Sequence, residues 1–255
     1  MVGTHLQEDD MRMTRLSMTI AAVVMAACGG GDGIPHSNGT GPAPFDPDRP
    51  YVPQVAPADL SANITNPLFP APVGARWSYR ATTDEGVESI EVRVLAETRS
   101  VWGATARVVR DTVHIDDQMV EDTWDWYGQD ATGNVWYLGE DTTEYVDGLP
   151  AGNAGAWESG VDGALPGVNM LAAPQVGDVY RQEYYAGVAE DVANVVANDA
   201  AVTVPAGSWT GCLETRDRSA LDPDLDERKF YCPGVGNVLV LEGDVRVELI
   251  EYAGL

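Results

Sequence analysis

Carboxylates and aromatic rings recur together at three places in this 255-residue chain. Trp136 and Tyr137 precede Glu140, Asp141 and Glu144 in GNVWYLGEDTTEY. Trp157, Glu158 and Asp162 lie in GAWESGVDG, and Glu183, Tyr184, Tyr185, Glu190 and Asp191 in RQEYYAGVAED. Three chemistries suit such sets. Calcium and other divalent hard cations take about six to eight oxygen ligands, which Asp, Glu and backbone carbonyls supply. A carboxylate pair can act as acid, base or nucleophile on a glycosidic bond. Rings beside hydrogen-bond acceptors form platforms for sugars or cationic ligands. A fourth reading assigns no ligand: the acids are solvated edge and loop residues, and the rings belong to the core.

Other chemistries lack their residues. The chain has no G-x-S-x-G, no P-loop and no dinucleotide fingerprint. His114, in VHIDD, is the only histidine beyond the leader and spacer, so a histidine-rich metal site is excluded there. DPDLDE places Asp222, Asp224 and Asp226 at alternate positions of a calcium loop. An EF-hand also needs Gly and Glu at two later positions, which here are Glu227 and Pro233, so an acidic turn or an irregular calcium loop remains.

The charge balance narrows the partners. The sequence has 15 basic and 40 acidic residues, a formal charge of -25. Such a surface repels nucleic acid. A metal ion, a cationic partner or a neutral small-molecule or glycan ligand is compatible with it, and so is simple solubility.

Residues 1–28 read as a signal peptide rather than fold. Arg12 and Arg15 precede the apolar run LSMTIAAVVMAAC, which ends at Cys28. The run is far shorter than the roughly 20 residues of a membrane span. Ala26-Ala27-Cys28 looks like the processing site of bacterial lipoproteins, in which the Cys becomes the lipid-bearing N-terminus. Met25 stands where Leu is commoner. The acidic leader before Arg12 suits no export signal, so Met11 or Met13 is the expected start. Gly29 after the Cys points to the outer membrane in a Gram-negative cell, with the lipid as the only membrane contact. Removing this segment takes away three acids and two bases, so the acidity belongs to the domain.

Cys212 and Cys232 remain as an even pair in an oxidising compartment and are expected to form a disulfide. Residues 29–65 are rich in Gly and Pro and read as a tether.

Beyond residue 65 the pattern is β. Segments such as ARWSYRA, ESIEVRVLAE and EDTWDWYGQD alternate in polarity, punctuated by Gly, Asp and Asn. The phrase GNV at Gly133 recurs at Gly236. At that same offset Gly74 meets Gly177, Val92 meets Val195, Val101 meets Val204, Thr112 meets Thr215 and Leu138 meets Leu241. The expectation is an all-β, internally duplicated antiparallel meander. Residues 66–140 and 173–255 would be the copies, and 141–172 a long ordered connector. One half-sheet leaves an apolar face bare, so the copies would form an open barrel or two packed curved sheets, with a cleft between halves. Features in one copy only are the better functional candidates. Trp136, Tyr137 and Glu140 face Leu239, Val240 and Gly243, and Glu183 has no acid in register.

DTWDWYGQDATGNVWYLGE, with AGVAED and YCPGVGNV downstream, resembles a group of bacterial exported proteins and lipoproteins with no assigned activity. The resemblance covers most of residues 66–252. It implies a β-rich exported domain and adds no catalytic residue. Cys232 takes a slot before Pro233-Gly234 that is often Ala in that group, which fits a local disulfide.

These readings converge on a lipid-anchored envelope protein holding a small apolar or carbohydrate-like ligand in a cleft. Two alternatives are a carboxylate-dependent hydrolase of phosphoesters or glycosides, assisted by calcium or another divalent metal, and a structural envelope component. A hydrolase requires acids from distant stretches to converge with raised pKa values. An apolar carrier requires the acids to lie outside.

Overall fold

Alternation of side chains is the physical origin of every long element. In Arg76–Thr83 (β1), Trp77, Tyr79 and Ala81 are buried while Arg76 and Arg80 are exposed, as a half-buried strand demands. The computed structural model describes residues 50–255, so Cys28, the leader and most of the tether lie outside the described residues. The following strands are β2 (Gly86–Val101), β3 (Ala104–Ile115), β4 (Gln118–Gln129), β5 (Val135–Val146), β6 (Leu149–Gly152), β7 (Trp157–Glu158) and β8 (Gly167–Met170). The later set is β9 (Val179–Arg181), β10 (Asp191–Val204), β11 (Gly207–Ser219), β12 (Glu227–Cys232), β13 (Gly236–Glu242) and β14 (Val245–Ala253). Among the described residues no helix is long and apolar enough to cross a membrane.

All 14 strands belong to one open antiparallel sheet, in the order β6-β5-β4-β3-β2-β1-β14-β13-β12-β11-β10-β9, with β7 and β8 paired to β5. The two runs of strands therefore join edge to edge. Trp77 pairs with Tyr252, Tyr79 with Leu249 and Arg80 with Glu248. Of the two arrangements the sequence allows, this is the single sheet rather than two packed ones. Two-residue turns with positive φ, such as Asp116-Asp117 and Asp147-Gly148, connect neighbours with the twist that right-handed strands require.

The sheet curls until its far ends touch. The Leu165 amide donates to the Tyr184 carbonyl at 2.8 Å, an isolated bridge between the connector and the segment after β9. Gly167 admits this approach, because a Cβ there would lie 2.0 Å from the Gln182 carbonyl oxygen. Ile90, Trp136, Tyr137, Leu138, Met170, Leu213 and Leu249 are all nearly fully buried.

Two expectations need correction. Residues 51–65, expected to belong to the tether, are instead packed against the domain. Leu60 and Ile64 are buried, Ser61 bridges Gln129, Arg107 donates to the Ala62 carbonyl at 3.1 Å, and the Tyr51 hydroxyl donates to the Pro166 carbonyl at 2.8 Å. Apolar residues spaced among prolines found a surface that composition alone does not reveal. The constant offset between the two runs also slips. Val92 pairs with Asp111, and Val195 pairs with Thr215, so Asp111 rather than Thr112 holds the place of Thr215. Bulges interrupt both hairpins but absorb different numbers of residues, which shifts the register.

Cys212 and Cys232 form the expected disulfide, joining β11 to β12 at an S–S distance of 2.02 Å. Both are fully buried. Replacing both with Ala is expected to cost about 3 kcal/mol. Thermal melts should read that as a fall of roughly 6–12 °C.

Candidate functional site

Inward positions of a sheet are normally apolar, and here many are not. Among the described residues nine carboxyls and a single cation are buried. Glu88, Asp111, Glu121, Asp125 and Glu140 come from β2 to β5. Glu183 follows β9, and Asp191, Asp217 and Glu227 come from β10 to β12. The cation is Lys229, the only lysine in the chain, 3.0 Å from Glu227 and 3.2 Å from Asp217. Nine buried negative charges against one positive charge are not sustainable in a poorly solvated interior. Protons or a bound cationic or hydrogen-bond-donating partner must offset them.

Local structure explains how these groups turn inward. Glu121, Thr123, Asp125 and Tyr127 alternate along β4 and share its inner face. On β5, Gly139 has φ 127, and a Cβ there would lie 2.3 Å from the Trp157 carbonyl oxygen. Only Gly fits, and the irregularity turns Glu140 toward Asp125. The Tyr137 hydroxyl then lies 2.6 Å from Asp125 Oδ1 and 2.8 Å from Glu140 Oε2. One hydroxyl has one proton to donate, so one of the two carboxyls must carry a proton and donate it to the tyrosine oxygen. Burial, then the charges of Glu183 and Asp125, push Glu140 well above the usual carboxylate range.

The same cause acts around the interior. Burial, reinforced by Glu242 and Glu121, raises Glu88 to about 7. Burial raises Asp125 to about 7 against the opposing hydrogen bond from Tyr137. Burial likewise raises Asp191 to about 7, although Lys229 opposes it. Asp111 and Glu183 are pushed well above their ordinary values by burial and by neighbouring carboxylates. Burial alone would lower the Lys229 ammonium, but Glu227 and Asp217 hold it well above the ordinary lysine value. Several oxygens have no hydrogen-bond partner among the described residues: both of Glu88, Asp111 Oδ1, Glu183 Oε2, Asp191 Oδ1 and Asp217 Oδ1. The Tyr180 hydroxyl and Thr215 Oγ1 share that condition.

The structure sorts the candidates named from the sequence. Glu140, Glu183 and Asp191 meet in the interior: Glu183 raises Glu140, and Asp191 raises Glu183. Trp136 and Trp157 are core residues. Trp136 Nε1 donates to Asp130 at 2.8 Å, and Trp157 packs edge-on against Tyr137 at 5.4 Å. Tyr137 is both core and site. Glu144 pairs across the ladder with Glu121 and stands half-buried near Gly152. Glu158 pairs outside with Arg99 at 2.7 Å, Asp162 is exposed in a turn, and Glu190 accepts from the Gly187 amide at 2.9 Å. Tyr184 packs at a tilt against Tyr51 at 5.2 Å and beneath Arg181 at 4.9 Å, close to the Leu165–Tyr184 bridge. Asp226 is held by Arg216 and Asp222 accepts from the Asp224 amide, so these three do not converge on a cation. Among the described residues no set of three or more His, Cys, Asp or Glu is arranged to hold a metal ion, so no preformed calcium site supports the metal-assisted reading.

Sequence reasoning passed over Glu88, Asp111, Glu121, Asp125, Asp217, Glu227 and Lys229. Their signal was available: acids sit in phase with Val109, Val113 and Tyr127 on an otherwise buried face, and the sole lysine falls on another such face.

No protein-family model and no curated protein matches the chain. Its fold is similar to the crystal structure of a protein provisionally described as a lipoprotein from Parabacteroides distasonis ATCC 8503, at 12% identity and a TM-score of 0.40, covering 73% of this chain and 98% of that one.

Proposed function

We propose that this protein is a lipid-anchored component of a bacterial envelope that binds a small polar ligand in its carboxylate-lined interior. Arg12, Arg15, the apolar run and Cys28 support the anchor, and Gly29 supports the outer membrane in a Gram-negative cell. The interior supports the ligand. Its carrying observation is the set of buried carboxylate oxygens without partners, from Glu88, Asp111, Glu183, Asp191 and Asp217. Such acceptors favour a ligand rich in N–H or O–H donors over an apolar one, because an apolar occupant leaves each of them unsatisfied. Nine acids lie buried, among them Glu140, Glu183 and Asp191, which weighs in the same direction.

The test is a thermal-shift and calorimetric panel on the mature protein, using mono- and disaccharides, alkylamines and fatty acids at pH 7. Saccharides or amines are expected to raise the melting temperature, and Glu183→Gln is expected to weaken that binding at least tenfold. Stabilisation by fatty acids alone, or by no member of the panel, overturns the reading.

A second reading rests on the Asp125–Tyr137–Glu140 set. One acid is poised to carry a proton beside another that ionises at about 7, the division of labour a glycoside hydrolase uses. Hydrolysis of chromogenic glycosides that Glu140→Gln reduces by a hundredfold or more would establish it. Activity that survives the substitution would exclude these residues.

A further inference from the structure

The two runs of strands can be compared row by row through their hydrogen-bonded partners. One row reads Val92, Asp111, Thr123 across β2, β3 and β4, and its counterpart reads Val195, Thr215, Lys229 across β10, β11 and β12. The adjacent row reads Ile90, Val113, Glu121 in the first run and Ala193, Asp217, Glu227 in the second. Glu121 therefore stands where Glu227 stands, and Thr123 stands where Lys229 stands.

This correspondence exposes an asymmetry of charge. The second run has four buried acids and carries its own ammonium, which reaches Glu227 and Asp217. The first run has five buried acids and no buried cation. At the place of the lysine it has a short hydroxyl side chain. Thr123 Oγ1 donates to Glu121 Oε1 at 3.0 Å and lies 3.1 Å from Thr142 Oγ1. Asp111, directly across the ladder from Thr123, is 5% exposed and its Oδ1 has no hydrogen-bond partner among the described residues. Glu88, two strands away, is 1% exposed with both oxygens in the same condition.

We propose that the first run binds a small primary ammonium ligand beside Thr123, its head group held by Asp111, across the ladder, and by Glu121, which stands where Glu227 holds Lys229. The inference rests on the reading that the interior takes a polar ligand and names the class of that ligand. An ammonium suits the place for two reasons. It brings three N–H donors, more than a hydroxyl can, to a place where Asp111 Oδ1 has no hydrogen-bond partner among the described residues. It also needs only loosely arranged oxygens, unlike a metal ion, for which no set of ligands is arranged among the described residues. The chain already shows this pairing once, in the bound ammonium of its own lysine.

The test is titration calorimetry of the full chain at pH 7.5 with n-butylamine and 1,4-diaminobutane, against tetramethylammonium and 1-butanol as controls. The primary amines are expected to bind and the controls to bind at least tenfold more weakly. Asp111→Asn keeps the side-chain shape and is expected to weaken amine binding tenfold or more. Thr123→Lys supplies the missing ammonium from the chain itself and is expected to abolish amine binding. Should that variant fail to fold by circular dichroism, Asp111→Asn decides the matter alone. No binding of primary amines, equal binding of the quaternary control, or amine binding indifferent to Asp111→Asn overturns the proposal. Saccharide binding without amine binding would overturn this inference and leave the polar-ligand function standing. Absence of both would remove both.

Discussion

Lys229→Met is expected to destabilise the protein by about 3–5 kcal/mol at pH 7.5, the usual cost of removing one partner of a buried ion pair. Methionine keeps most of the apolar stem, so packing changes little. The loss is electrostatic. Asp217 and Glu227 stand 3.2 and 3.0 Å from the ammonium, and Asp217 is fully buried with its other oxygen lacking a hydrogen-bond partner among the described residues. Without the lysine, two adjacent carboxylates repel each other in an interior that already contains Asp191 and Glu183. Denaturant unfolding measures the difference directly. A loss below about 1 kcal/mol at pH 7.5, within the range of ordinary exposed pairs, would show that the lysine is not the counter-charge the geometry makes it.

The second large effect is a fall in stability from mild acid to mild base. Free Asp and Glu ionise near pH 4 in an unfolded chain. In the fold, Glu88, Asp125 and Asp191 ionise at about 7, while Asp111, Glu140 and Glu183 lie well above their ordinary values. Between those limits the native state holds more protons than the unfolded state, so stability declines as pH rises. Each extra proton contributes a slope of about 1.4 kcal/mol per pH unit. The advantage is fully present below the unfolded values and is gone above the folded ones. Asp130 opposes this at the acid end. Burial would raise it, but hydrogen bonds from Thr132, Trp136 and Asn134 hold it below its ordinary value, so its contribution is lost as pH falls through that lower value. A maximum near pH 4 is expected, with a melting temperature about 10 °C or more above that at pH 8. Asp111→Asn, whose amide mimics the protonated acid, should flatten the decline. A melting temperature that rises from pH 5 to pH 8 would refute this account of the interior.

Sequence alone determined much of the local structure. Alternation in ARWSYRA and EDTWDWYGQD, with Asp and Gly at the turns, specifies strands and hairpins because a pleated backbone sends successive side chains to opposite faces. The two cysteines specified their own bond, since no third remained in the domain to compete. Glu140, Glu183 and Asp191 were visible as candidates because acids crowd beside aromatics at the ends of strands.

Tertiary structure alone decided which face was inside. Asp111 and Asp125 read locally as solvent-facing residues, since an acid in a strand usually points to water. They are buried because β1 joins β14 edge to edge and the resulting sheet curls until Leu165 meets Tyr184. That curl brings Glu183, after β9, within reach of Asp125 on β4, although β9 lies at one end of the sheet order and β4 near the other. Periodicity determines that side chains alternate, but it carries no information about which of the two faces a closing sheet will enclose. That choice turns nine scattered acids and one lysine into a single electrostatic unit.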